Sequence, residues 1–144
     1  MSASGEFSVR DLYGLQCYLR DFDLLMNRSR QEPDDLAVRY SVIKAFELTY
    51  EMSMKTLTRY LVERSTRGSE VASFDFHDVI RLADQENIIQ SGWPQWKFYR
   101  QNRNRTAHMY RAETALAVTA ILPNFLADAH ALLTNLSRRV DHHD

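Results

Sequence analysis

Toward the end of this chain the apolar residues Val118, Ile121, Phe125, Ala129, Leu132, Leu136 and Val140 return at intervals of three and four. Side chains spaced in this way fall on one face of an α-helix. A rhythm kept for more than six turns is satisfied only by packing that face, along its length, against other elements. The helix is expected from about Glu113 to Arg139. Pro123 sits inside it and removes the hydrogen bond to the Thr119 carbonyl, so a kink is expected, at a cost of up to ~3 kcal/mol.

The same rhythm recurs upstream. Leu12, Leu15, Leu19, Phe22 and Met26 predict a helix from Ser8, its N-cap, to about Arg28, ended by the polar run from Asn27 to Pro33. A second helix is expected from Asp34 or Asp35 to about Glu63, with Ile43, Phe46, Tyr50, Met54, Leu57 and Leu61 inward. Glu47, Glu51, Lys55 and Arg59 step by four along a neighbouring face. There Glu51 and Lys55 read as a solvated pair worth only about 0.2–0.5 kcal/mol. Ser65 to Ser73 is the most loop-like stretch. A short helix is expected from Asp75 to Asp84, and Pro94 suits the first turn of a further helix, where its missing N–H costs nothing. On that helix Trp96, Tyr99, Arg100 and Arg103 share a side, so buried aromatic rings should fix where Arg103 stands.

Four glycines and three prolines in 144 residues leave few tight turns, which argues against an all-β fold. The expectation is one all-α domain over 1–144, an antiparallel bundle of four or five helices, with the D-H-H-D end (about 140–144) frayed. The start, M-S-A-S-G-E-F, lacks the pattern of a secretory leader, and no apolar run is seen to approach the roughly 18–20 residues that span a membrane. Cys17 stands alone and cannot form an intrachain disulfide. A cytoplasmic setting away from membranes is the expectation.

Charge singles out one region. Between Glu86 and Glu113 there is no acidic residue, while Lys97, Arg100, Arg103, Arg105 and Arg111 add five positive charges to a chain whose formal total is −1. Such a zone attracts anions, and the guanidinium fork suits phosphate oxygens best. His108 lies inside it and is the side chain suited to moving protons near neutral pH. His77, His130, His142 and His143 form no spaced set with carboxylates or cysteine, so no metal site is expected.

Arg103, Asn104, His108 and Tyr110 spell R-N-x-x-x-H-x-Y. This resembles the signature of the HEPN superfamily, and its tyrosine-ended form is similar to the HepT-like toxins that stand beside a minimal nucleotidyltransferase antitoxin. F-E-L-T-Y-E-M-S-M-K-T-L (Phe46 to Leu57), F-H-D-V-I-R-L-A and the N-I-I before Trp96 are similar to proteins labelled nucleotidyltransferase substrate-binding. The resemblance runs from about Tyr40 to Ala117. In one place the chain departs from the pattern: Arg111 follows the tyrosine where the family usually has an acid, so Glu113 and Thr114 cap the last helix or that helix begins later.

The resemblance implies an endoribonuclease that uses neither metal nor cofactor and works as a homodimer. Arg103 and His108 would be catalytic, Asn104 would position substrate or polarise the histidine, and Arg100 and Arg105 would steer the RNA backbone. One chain offers one well-placed histidine, and a twofold axis would supply the second. Tyr110 would be adenylylated by the nucleotidyltransferase partner, with which a larger hetero-oligomer could form, and the added charge would block the cleft. Otherwise Tyr110 packs against the last helix with its hydroxyl bonded locally. Two other readings stand beside the toxin: a non-catalytic substrate- or nucleotide-binding subunit of a nucleotidyltransferase, and a helical scaffold whose arginines serve an interface.

Overall fold

The computed structural model describes residues 6–64 and 68–143, without the side chains of 68–69 and 141–143. Among the described residues six α-helices follow one another: α1 (Tyr13–Gln31), α2 (Leu36–Arg64), the single turn α3 (Gly68–Val71), α4 (Phe76–Gln85), α5 (Trp93–Arg105) and α6 (Ala112–His143). No strand occurs among the described residues, so the expected all-α bundle is what forms. A four-residue connection joins α1 to α2, which pack on one another as antiparallel neighbours.

Local chemistry sets the ends of these elements. The Ser8 N–H donates to the Asp11 carboxylate at 2.8 Å, opening a 3-10 turn (Val9–Leu12) ahead of α1. Asp35 accepts from the Val38 N–H at 3.1 Å and caps α2. Asp75 accepts from the Asp78 N–H at 2.9 Å and caps α4; that bond holds its carboxyl below the usual range. Asn87, at φ 60°, ends α4 in the left-handed conformation and lets the Ile88 N–H reach the Ala83 carbonyl at 2.9 Å.

Phe125 on α6 is the hub of the core. Around its ring lie Phe46 at 5.0 Å, Tyr99 at 5.1 Å, Phe22 at 6.1 Å, Trp96 at 6.2 Å and Tyr50 at 6.3 Å, so α1, α2, α5 and α6 all meet there. The contacts with Phe46, Trp96 and Tyr99 are edge-to-face, a geometry that adds about 0.5–1.5 kcal/mol each beyond simple burial. All seven α6 residues that carry the sequence rhythm are buried. One acid lies among them: Asp128 accepts hydrogen bonds from Ser91 Oγ at 2.8 Å and from the Tyr99 hydroxyl, joining α5 and the segment before it to α6. Burial, and then this bond, push the Tyr99 hydroxyl pKa well up.

Four expectations need correction. α1 continues to Gln31, past the polar run that was expected to end it, because Arg28 pairs with Glu32 and Arg30 with Asn27 along its last turn. Within the expected loop Ser65–Ser73, Gly68–Val71 forms a helical turn, and residues 65–67 lie outside the described ones. The expected frayed tail is helical as far as His143, with Asp144 outside the described residues. Finally, the stretch Ala112–Val140 is long and apolar enough to cross a membrane by length and composition, a property the residue-by-residue reading overlooked. In this fold its apolar face is the centre of the bundle. α6 runs on through Pro123, which lies on its exposed side where water can take the freed carbonyl.

Candidate functional site

α5 ends in basic residues, and the chain then turns sharply into α6. Trp96 and Tyr99 are fully buried and seat α5 against α2 and α6, so the residues one and two turns later have fixed directions. Asn102 is buried, with its amide nitrogen on the Phe98 carbonyl at 3.0 Å. Arg103, on the same side as the aromatic pair as expected, reaches α2. Its Nε lies 3.2 Å from Glu51 Oε1, its Nη2 bonds the same oxygen, and its Nη1 is 3.5 Å from Glu47 Oε2. Glu51 is therefore the partner of Arg103, and the solvated Glu51–Lys55 pair expected from spacing is not what forms.

A 3-10 turn (Thr106–His108) follows α5 directly. The Thr106 hydroxyl donates to Glu47 Oε2 and lies 2.8 Å from the Arg103 carbonyl, while Thr106 itself is buried. The Met109 N–H returns to the Thr106 carbonyl at 3.2 Å, and the Arg111 N–H to the His108 carbonyl at 3.1 Å. His108 is thus held out on a tight, internally bonded corner, and its side chain is exposed. α6 begins one residue earlier than expected: the Arg111 carbonyl accepts from the Ala115 N–H at 3.0 Å, so Arg111 occupies the capping position with its backbone.

Outside this corner lies an open cleft of about 330 Å³, lined by Arg105, His108, Arg111, Glu113, Thr114 and Ala117. Two guanidinium groups and an imidazole therefore share one cavity wall with a single acid. Such a wall can hold a phosphate and can give or take a proton beside it. Tyr110 does not line the cleft but lies beside two residues that do: it is 67% exposed, with its ring 6.1 Å from that of His108 and 5.6 Å from the Arg111 guanidinium. It is exposed rather than packed into the bundle.

The sequence-expected residues divide into groups. His108 and Arg105 share the cleft. Arg103 does not line it; its side chain is committed to α2, 30% exposed. Asn104 is exposed near the end of α5. Arg100 is exposed too and lies over the Phe76 ring at 4.7 Å, on the α4 side of α5. Sequence reasoning missed Glu47, Glu51 and Thr106 as parts of the site, and it noted Arg111 without giving it a role there. The acid-free interval and the departure from the family pattern both drew attention to Arg111, and nothing local marks the pairing of α2 glutamates with α5. Burial pushes the nearby Tyr50 hydroxyl up to about 12, with Arg100 and Arg103 pulling the other way.

The histidines outside the site need one amendment. His77 does come together with carboxylates: Asp75, His77 and Asp78 place three possible ligand atoms within 4.8 Å of one another. Asp75 is already engaged as the cap of α4, the group is largely exposed, and we assign no metal to it. His130 bonds Asp23 at 2.8 Å across α6 and α1.

Comparison with known proteins places the chain in a family. Residues 10–138 match the family model described as nucleotidyltransferase substrate binding protein like. A protein of Haemophilus influenzae described as probable ribonuclease HepT is 34% identical over 97 residues, covering 67% of this chain. The match spans 66% of that relative's own length, just under two thirds. A solved structure, also from Haemophilus influenzae and described as revealing the fold of a substrate binding domain of a nucleotidyltransferase, superposes with a TM-score of 0.79 at 26% identity. The superposition covers 87% of this chain and 98% of that one.

Proposed function

This chain belongs to the nucleotidyltransferase substrate-binding-like family, and from that premise we propose that it is a HEPN-type endoribonuclease, the toxin of a pair whose antitoxin is a nucleotidyltransferase. The observation that carries the reading is the cleft in which exposed His108 stands between Arg105 and Arg111. The ribonuclease relative points the same way.

In the proposed reaction the RNA 2′-oxygen attacks the adjacent phosphorus. One imidazole takes the 2′ proton. The bond from phosphorus to the 5′-oxygen breaks, and a second imidazole, from the other copy of the chain, protonates the leaving oxygen. The products are a 2′,3′-cyclic phosphate and a 5′-hydroxyl. Guanidinium groups hold the charge that builds on the pentavalent phosphorus. Arg103 and His108 are the catalytic pair of this proposal, Asn104 supports them, and Arg100 and Arg105 guide the backbone; no metal or cofactor takes part. The site is composite, so the working unit is a homodimer, in the cytoplasm.

Tyr110 fits the role of regulatory target. Its exposure leaves the hydroxyl free to attack the α-phosphorus of ATP on a nucleotidyltransferase, with pyrophosphate leaving. The AMP so attached sets a negative charge and a bulky group beside His108 and Arg111, against the approach of RNA.

The test is the purified protein with end-labelled RNA in EDTA. Cleavage to cyclic phosphate ends, lost in His108→Ala, supports the proposal. The description of the solved relative as a substrate binding domain favours a second reading, a non-catalytic subunit of a nucleotidyltransferase. Intact RNA together with tight binding to a nucleotidyltransferase would decide for that reading.

A further inference from the structure

We propose that Glu47 and Glu51 are positioning residues of the cleavage site, with Glu47 the joint that sets Arg103 and the His108 turn in register. This rests on the nuclease reading above and adds a pair of residues that the motif does not contain. Glu47 and Glu51 are one turn apart on α2 and face the end of α5. Glu47 Oε2 serves two masters: it accepts from the Thr106 hydroxyl and lies 3.5 Å from Arg103 Nη1. Thr106 is the first residue of the turn that presents His108, and its hydroxyl also reaches the Arg103 carbonyl at 2.8 Å. One carboxylate oxygen therefore touches the side chain of one catalytic residue and the backbone support of the other.

The geometry favours positioning over neutralisation. A guanidinium carries five N–H donors. Arg103 gives Nε and Nη2 to Glu51 and directs Nη1 toward Glu47, which leaves donors on both Nη atoms for a phosphate. Charge is balanced within the cluster, because Lys44 Nζ lies 3.5 Å from Glu47 Oε1 and opposes the second carboxylate. Lys44, Glu47, Glu51 and Arg103 thus sum to zero. Arg103 then adds little to the long-range attraction of RNA, which falls to Arg105 and Arg111 at the cleft. Its contribution is a hydrogen-bonding edge in a fixed place. Half-exposed ion pairs of this kind contribute little to folding, so direction is what the two glutamates supply.

The contacts also say which substitutions should be tolerated. Arg103 Nε and Nη2 both go to a single oxygen of Glu51, and Thr106 and Arg103 both go to a single oxygen of Glu47. A glutamine retains one such oxygen and an alanine none. The experiment compares Glu47→Ala, Glu47→Gln, Glu51→Ala and Glu51→Gln, with Lys55→Gln on the same helix as control. Three properties are read: single-turnover cleavage across RNA concentrations, affinity for an uncleavable 2′-O-methyl RNA of the same sequence, and the His108 backbone amide by NMR. The alanine variants should keep the wild-type melting transition and lose about 10–100-fold in maximal cleavage rate, since displacements near 1 Å cost that much. Half-saturating RNA concentration should move less than about threefold, a split that a merely structural role does not produce. The glutamine variants should recover most of the rate, and the His108 amide should shift in Glu47→Ala but not in Lys55→Gln. Unchanged cleavage in both alanine variants overturns the proposal. So does faster cleavage or tighter RNA binding in them, which would make the glutamates a restraint on Arg103. Wild-type protein that leaves RNA intact sinks the nuclease reading by itself; an unmoved His108 amide in Glu47→Ala then sinks the coupling separately.

Discussion

The guanidinium of Arg103 and the carboxylate of Glu51 meet edge-on, Nε 3.2 Å from Oε1 with Nη2 on the same oxygen, across 52 residues of sequence. A lysine cannot reproduce that contact, because a single ammonium group offers no planar fork. Arg103→Lys should therefore fold normally, keep the charge, and cleave RNA at least about tenfold more slowly than wild type. Parallel melting curves and single-turnover assays check this. Wild-type cleavage by the lysine variant would reduce Arg103 to a point charge.

Glu51 also illustrates what a sequence reveals and what it hides. The spacing Glu47, Glu51, Lys55 correctly places the glutamates on one side of α2, and the i,i+4 rule then offers Lys55 as partner. Two helices must be packed before Arg103 appears opposite, and no periodicity within α2 encodes that approach. Helix interiors were legible for the opposite reason: Val118 to Val140 repeats a local geometry that burial rewards at every turn. The end of α1 was not, because Arg28–Glu32 and Arg30–Asn27 turn a polar, loop-like composition into one more helical turn. In the site, the motif and its acid-free surroundings single out His108 and Tyr110, but their exposure comes from the tight turn after α5, which the sequence did not announce. Thr106 is not singled out, because its role depends on a hydroxyl reaching α2.

The buried carboxylate of Asp128 predicts a stability effect far from the cleft. It takes two hydroxyl hydrogen bonds, from Ser91 and Tyr99, and is 3% exposed. Asp128→Ala strands both donors and opens a small void, and should cost about 2–4 kcal/mol. Tyr99→Phe leaves the Ser91 bond in place and should cost less, about 1–2 kcal/mol. Urea denaturation monitored by helical circular dichroism gives both numbers.

Alkaline pH should unfold the protein through its buried tyrosines. Burial raises the folded pKa of Tyr50 to about 12 and of Tyr99 higher still, against an unfolded value near 10. Between those values the unfolded state releases its protons first. The stability contributed is thus fully present below pH 10 and is lost as pH rises through the folded values. The expected slope is up to about 1.4 kcal/mol per pH unit for each tyrosine, read from denaturation midpoints at pH 9, 10 and 11. Tyr50→Phe should flatten it; an unchanged slope in that variant would contradict the assignment.

Arg105 and Arg111 line the cleft, and Glu113 is its one acid. If they meet phosphates, Arg105→Gln and Arg111→Gln should each weaken RNA binding and each reduce the dependence of log affinity on log salt by about 0.7, the value for one phosphate contact on a single strand. Fluorescence anisotropy between about 50 and 200 mM salt measures it. Arg20→Gln, on the exposed face of α1, should leave the slope unchanged.

The central claim is that two copies of His108 act on one phosphodiester, and mixing tests it most directly. Wild-type and His108→Ala chains are unfolded together, refolded at varied ratios and assayed on RNA at constant total protein. A composite site needs an intact histidine from each subunit, so activity should fall as the square of the wild-type fraction. A linear fall would mean that each chain cleaves alone, and would contradict the shared site.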